Sequence, residues 1–328
     1  MRLAPLRAVV KEAALIALGS NLAVRTKLRR LRRSGMVTIL NLHRVAPHDR
    51  SAYEPLDPKL FDYLLQFAKQ HFNLTTFDAV GGELVPDKPR MILSFDDAYR
   101  DFLTIAVPLL ERHGIRVNQN VIPESIESGL PPLNVLMQDF VGRAPWSVVQ
   151  TIDVPGFHWG PSPVGLGNRL SAFLKNRPMA EQDALRDILL PQIRDRTGFQ
   201  PTPMMTRDEV RQIGGVHEIG AHSYFHASMA HESDDYLRED VRRCRTYFSE
   251  KLQLPLKIYA LPNGSYRPAQ IDILREEGIR DILLVNEDFA RPSSDLRWRF
   301  TFDGTSRHEV RYRATGASRW PRVRGNAE

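Results

Sequence analysis

The sequence predicts an α/β fold: a distorted (β/α) barrel of about seven parallel strands, with an insertion and a basic N-terminal helical segment. Three observations lead there. Strand-like and helix-like stretches alternate along most of the chain, as parallel strands joined by crossover helices do. Six or seven such units over about 260 residues favour a closed barrel over a small open sheet. Polar residues also gather at strand ends, where a barrel carries its chemistry. An open doubly wound sheet is the rival, and it lacks its usual support, since neither GxGxxG nor GxxxxGK[ST] occurs.

The elements follow in order. Residues 1–35 form a basic amphipathic helical segment, with "RTKLRRLRR" at Arg25–Arg33. Its apolar run is too short to cross a membrane and makes a poor secretion signal. Two readings stay open: a helix lying on an anionic bilayer, or one packed on the domain with a solvated arginine face. The barrel occupies 36–310, and 311–328 is a basic tail. "MVTILNLHRV" is a buried strand ending near His43. Asp57 caps a helix whose first residue is Pro58. "RMILSF" is the next clear strand, and Gly114 closes the helix after it.

"IRVNQNVI" is a strand with unusual polarity at Asn118, Gln119 and Asn120: groups facing a sugar, or an irregular strand. From about 123 to 178 the pattern degrades into an insertion. There Phe157, His158 and Trp159 form either a sugar-stacking platform or an apolar plug. "HEIGAHS", "LKIYALP" and "IRDILLV" are strands of the second half, with helices at 234–252 and "RPAQIDILREEG". "DLRWRFTFDGTSRHEVRYR" alternates like a strand pair turning at Asp303–Gly304, which puts Arg307 and His308 near a hairpin.

Composition bounds the function. The 328 residues carry a net charge of +6 and a pI near 9.5, with 42% hydrophobic residues. Lone Cys244 rules out an internal disulfide and a cysteine-rich metal site, and fits a reducing compartment. Basicity suits nucleic acid, an anionic membrane or an acidic substrate. No nucleic-acid module accompanies it, so no nucleic-acid partner is expected.

The chemistry centres on "SFDDAYRDF". Adjacent carboxylates repel, so Asp96 and Asp97 call for a cation or a proton-transfer task, although aspartates also cap helices. "HSYFH" places His222 and His226 four apart, the spacing that puts two imidazoles on one face of a helical turn. Two imidazoles and a carboxylate make a good zinc donor set with a position left for water. His217 and His231 read as surface residues.

These motifs resemble the polysaccharide deacetylases, carbohydrate esterase family 4. "SFDDAYRDF" is similar to the family's first motif, "HSYFH" to its second, and "YALPNGSY" to its third. The resemblance covers residues 36 to 290 apart from the insertion. It implies a distorted seven-stranded barrel with Asp96 as general base. Asp97, His222 and His226 would be ligands of a divalent metal, zinc being the best fit. It also implies an oxyanion-binding backbone N–H at Asn263.

Two departures stand out. Ala260 occupies the position where many members carry an arginine that orients the base, so another arginine would have to supply that charge. The fourth motif and the fifth motif's histidine acid are missing. Asp288, Glu287, His43 and His158 remain as candidate acids. The expected function is metal-dependent hydrolysis of the acetamide of an N-acetylated sugar, in a polysaccharide or a lipid-linked glycan precursor, releasing acetate. A catalytically weakened glycan-binding relative and a basic nucleic-acid or acidic-surface binder are the alternatives. The expected location is cytoplasmic, peripheral to the inner membrane face.

Overall fold

The computed structural model describes residues 3–82, 87–160, 162–194 and 198–322. Its sheet is built from β1 (Val37–Leu42), β2 (Asn73–Leu74), β3 (Arg90–Phe95), β4 (Asn118–Val121), β5 (Glu218–Ala221), β6 (Ile258–Ala260), β7 (Asp281–Leu284), β8 (Leu296–Trp298) and β9 (Phe300–Thr301). The order is β8-β7-β6-β5-β4-β3-β1-β9, and every pairing between these strands is parallel. The first six long staves lie side by side. β8 and β9 are one extended run interrupted at Arg299. Its first half pairs with β7 and its second with β1, which completes the ring. The predicted distorted barrel of about seven staves is therefore the observed fold, with two-residue β2 pairing beside the start of β3.

Helices pack outside the staves: α1 (Leu3–Leu18), α2 (Asn21–Ser34), α3 (Pro58–His71), α4 (Val107–His113), α5 (Pro123–Ser128), α6 (Leu133–Arg143), α7 (Trp146–Val149), α8 (Leu166–Lys175), α9 (Met179–Arg194), α10 (Arg207–Gly214), α11 (Asp234–Tyr247), α12 (Pro268–Glu276) and α13 (Arg307–Ala314). The end signals work as expected. Asp57 accepts from the backbone N–H of Lys59 and Leu60 ahead of Pro58, and Gly114 ends α4 in the left-handed conformation.

Between β4 and β5 the chain leaves the barrel as a helical body with its own apolar core, in which Leu136, Met137, Phe140, Leu166, Leu170 and Leu189 are buried. Phe157 and Trp159 belong to that core. Phe157 lies 5.2 Å from Phe173 and 5.4 Å from Trp159, and the Trp159 indole N–H donates to the Ile152 carbonyl. Half-buried, they pack against the insertion's own core, as in the apolar-plug reading.

The segment read as a strand pair after Asp303 is instead α13. Ser306 accepts from the Glu309 backbone N–H as its N-cap. α2 buries Val24, Lys27 and Leu31 and turns Arg25, Arg29, Arg30, Arg32 and Arg33 outward. Ser20 caps its start and left-handed Gly35 its end. Most of α1 from Val10 onward is exposed, with Val10, Ile16 and Leu18 among the exposed large apolar residues. Among the described residues no helix is long and apolar enough to cross a membrane.

Candidate metal centre and active site

β3 is buried along its whole length, with an apolar run at Met91–Leu93, and it ends by turning out of the sheet at Asp96 and Asp97. The turn is strained: Asp97 and Ala98 are consecutive non-glycine residues with φ of 79° and 68°, a conformation that persists only where surroundings impose it. Part of that imposition comes from Arg44, just past β1. Its guanidinium reaches Asp101 at 2.9 Å and so ties the first stave to the segment after the aspartate pair.

His222 follows β5 directly. The pair His222 and His226 does not lie on a helical turn, as the spacing suggested. The chain runs as a loop in which Ser223 and His226 have φ of 59° and 63°. Asp240 of α11 holds that loop. It accepts from the Ser223 hydroxyl at 2.8 Å, the Tyr224 backbone N–H and the Tyr259 hydroxyl at 2.7 Å.

The result brings Asp97, His222 and His226 together in one buried cluster. Asp97 Oδ1 lies 3.4 Å from His222 Nε2 and 3.6 Å from His226 Nε2. The same oxygen is buried and has no hydrogen-bond donor. His222 Nδ1 is 3.0 Å from the Ala260 carbonyl. That contact places the proton on Nδ1 and leaves the Nε2 lone pair facing Asp97, as metal-bound histidines are commonly arranged. An orphaned carboxylate oxygen facing two imidazole nitrogens fits a divalent ion.

The electrostatics separate the two aspartates. Burial works against ionisation of Asp96, but the Arg299 guanidinium, helped by His222, outweighs it and holds this carboxyl below the usual carboxylate range. Burial and the negative charge of Asp96 push Asp97 up to about 8. Burial lowers both His222 and His226, so both rings are neutral near pH 7. Binding of a divalent ion at pH 7 should therefore release close to one proton, taken from Asp97, and affinity should weaken as pH falls below about 8. Titration calorimetry with zinc in buffers of different ionisation heat reads this directly. Proton release near zero at pH 7 would contradict it.

Arg299 is the residue that sequence reasoning missed. It is fully buried inside the ring and grips Asp96 with both prongs, at 2.8 and 2.9 Å. It supplies from the last stave the charge that Ala260 does not. The polar strand β4 belongs to the same assembly. Asn120 donates to Asp96 Oδ1 at 2.8 Å, and Asn118 accepts from the Ser94 hydroxyl, which itself accepts from Arg299. These buried amides face the aspartate network, not a sugar. Gly220 makes room for them, since a Cβ there would sit 2.3 Å from the Asn120 side-chain oxygen.

A cavity of about 380 Å³ opens over the cluster. Asn263 lines it at φ 59°, its side chain fixed by the Ser228 hydroxyl at 3.0 Å. Of the four candidate acids only His43 lines this cavity. Burial pushes its imidazole down to about 4. Glu287 is occupied by the Thr301 backbone N–H, and Asp288 lines a different pocket. His158 lies in the insertion, its carbonyl accepting from Arg169. His217, read as a surface residue, is instead buried and accepts from the Val117 backbone N–H. His231 is exposed as expected.

The comparisons with known proteins agree with this geometry. The family model for polysaccharide deacetylase matches residues 175–282, the stretch that holds His222, His226 and the "LPNGSY" turn. This stretch, 108 of the 328 residues, is similar to the polysaccharide deacetylases. Asp96 and Asp97 lie before the matched stretch, and the fold brings them to it.

Solved structures of similar shape include the deacetylase PplD of Streptococcus pyogenes in complex with acetate. It is 16% identical with a TM-score of 0.53, over 81% of this chain and 92% of that one. IcaB from Ammonifex degensii is 17% identical with a TM-score of 0.55, over 85% and 97%. A de-N-acetylase from Aggregatibacter actinomycetemcomitans is 15% identical with a TM-score of 0.52, over 81% and 95%. At these identities the likeness speaks for the fold alone. No curated protein matches the sequence.

Proposed function

We propose that the chain is a metal-dependent deacetylase that hydrolyses the acetamide of an N-acetylated glycan and releases acetate. The observation that carries this reading is the unpartnered Asp97 oxygen facing His222 Nε2 and His226 Nε2. Those three side chains would hold a divalent ion, for which zinc suits the donors best. Bound there, such an ion would acidify water and polarise a carbonyl.

The remaining work falls to this chain's own residues. Asp96, held ionised by Arg299, takes the proton of the attacking water as general base. The turn at Asn263 offers backbone N–H groups to the oxygen that gains negative charge as the acetamide carbon becomes tetrahedral. Burial of the whole cluster strengthens these interactions by excluding water. Collapse needs a proton on the departing amine. His43 faces the cavity, but its low pKa leaves little imidazolium near neutrality. The proton bound early by Asp96 is the simpler source.

The test is acetate release from a chitooligosaccharide by zinc-loaded protein. Asp96→Asn should lower the rate by roughly 10²–10⁴-fold, the usual worth of a general base. Zinc-loaded wild type that releases none from chitin oligomers or exopolysaccharide would leave a glycan-binding relative in its place.

The insertion supports a role in substrate choice. Asn134, Gln138, Asn168, Ser171 and Lys175 line the cavity from α6 and α8. Gln138 donates to Asn168 and Asn134 to Ser171, which ties the two helices together at that wall. Lys175 is half-buried and has no carboxylate partner among the described residues. Lys175→Met should raise KM roughly tenfold or more with kcat little changed, the mark of lost ground-state binding by a charged group. Steady-state kinetics on a soluble oligomer decides it. A fall in kcat alone would instead assign Lys175 to the chemical step.

The basic face of α2 and the exposed apolar residues of α1 support a seat on the anionic cytoplasmic face of a membrane. There a lipid-linked N-acetylated precursor would be concentrated near the cavity.

A further inference from the structure

A second cavity, of about 660 Å³, opens at the other end of the barrel. Arg90 at the start of β3 lines it, while Asp96 follows the end of the same strand, so the two cavities stand roughly 20 Å apart along one stave. Five arginines converge on it: Arg32, Arg33, Arg90, Arg291 and Arg322. The one acid among its lining residues is Asp288.

None of the five arginines forms an ion pair among the described residues, whereas Arg275, Arg280 and Arg297 nearby each have an aspartate. Arg90 is 7% exposed, and among the described residues its guanidinium bonds to the Gly82 carbonyl and to no carboxylate. Burying a guanidinium without a counter-anion is costly. Arg32 and Arg33 also complement the C-terminal dipole of α2, a role that leaves Arg90, Arg291 and Arg322 unexplained.

Apolar surface adjoins the charges. Leu296 and Trp298 line the cavity. Trp320, half exposed, stands two residues before Arg322 and is strapped to α2, with the Arg30 guanidinium 5.6 Å over its ring and Arg30 bonded to the Pro321 carbonyl at 3.0 Å.

We infer that this pocket binds the phosphate of an amphiphile, its arginines holding the phosphate oxygens and Leu296 and Trp298 receiving the adjoining apolar stem. Guanidinium forks match phosphate geometry, and a cluster with one acid among five cations selects an anion. The inference is independent of the chemistry at Asp96 and Asp97, because none of its residues touches that cavity.

The test uses the full chain and three short-chain probes below their micelle concentrations: dihexanoyl phosphatidic acid, dihexanoyl phosphatidylcholine and glycerol 3-phosphate. Calorimetry should show saturable one-to-one binding of phosphatidic acid, at least tenfold weaker in Arg33→Gln/Arg291→Gln. Glycerol 3-phosphate should bind at least tenfold more weakly than phosphatidic acid, and phosphatidylcholine not at all. Both substituted arginines are exposed, so the variant should keep its melting temperature and its acetate release. Equal affinity for glycerol 3-phosphate would assign the site to a soluble phosphate ester and overturn the lipid reading. No binding, or binding unchanged in the variant, would overturn the site itself. A duplex oligonucleotide that binds in the wild type and is lost in the variant, with no response to phosphatidic acid, would replace it with a nucleic-acid surface.

Discussion

Arg299→Met is expected to destabilise the protein by about 3–5 kcal/mol, the cost of leaving a buried charge without its partner. Arg299 and Asp96 are both essentially inaccessible to solvent and meet through two charge-assisted hydrogen bonds. Without the guanidinium, Asp96 keeps Asn120 alone, so the carboxyl protonates or the strand end shifts. Either outcome removes the proposed base, and acetate release should fall with stability. Arg299→Lys preserves the charge but not the two-pronged geometry and should fall between.

Urea denaturation of the metal-loaded protein reads the stability. Because Asp96 is depressed below its ordinary 3.8, its contribution is present above about pH 4 and lost as pH falls through the folded value. The gap between wild type and Arg299→Met should therefore narrow in acid. In Asp96→Asn/Arg299→Met both charges are gone, and the loss should be smaller than the sum of the single losses. A fully additive double variant would mean that the two side chains do not stabilise one another.

Asp97→Asn is expected to abolish stoichiometric zinc and reduce acetate release to background, yet to leave the metal-free protein as stable as wild type or more so. The two effects separate because the role of Asp97 is opposed to folding when no cation is present. Burial and Asp96 raise its carboxyl to about 8. Relative to the unfolded chain it therefore costs stability as pH rises from about 4, and the whole cost is present above about 8. Neutral asparagine carries no such cost. Thermal melts at pH 9 with chelator should rank Asp97→Asn at or above wild type. Added zinc should raise the wild-type midpoint and leave the variant unmoved, since only a ligand bound by the native state shifts it. A variant that still gains from zinc would move the ion away from Asp97.

Much of this site is legible in the sequence because its parts are local. An apolar run closing on "FDD" shows a buried strand with carboxylates at its end. "HSYFH" names both histidines, although the spacing does not reveal that Ser223 and His226 adopt left-handed backbone angles. Arg299 is not legible in that way, since it sits 203 residues from its partner. A signal exists in "LRWRFTF", where an arginine occupies a period-two position between aromatic residues of a strand. An inward cation is then the alternative to an anionic surface.

The polarity of β4 is equally plain in "NQN", but its purpose depends on neighbouring staves. The start of α13 does carry a local signal. Ser306 followed three residues later by Glu309 is a helix-start pattern, whereas the alternation of aromatic and basic residues belongs to the strands before it. His217 reads as a surface residue because burial of a single residue between elements has no periodic signature.

The stave that closes the ring is also the last to be synthesised. Asp96 and Asp97 leave the ribosome about two hundred residues before the arginine that neutralises one of them. Until then, two adjacent carboxyls sit on the end of a strand with Arg44 as their nearest tethering cation, through Asp101. Contacts of such separation form late. The catalytic charge pattern is thus assembled at the end of folding, and a prematurely terminated chain ending before β8 would be an incomplete ring that has the two aspartates and both histidines but no competent base. Activity in this architecture requires that translation has passed Arg299 and the stave that carries it.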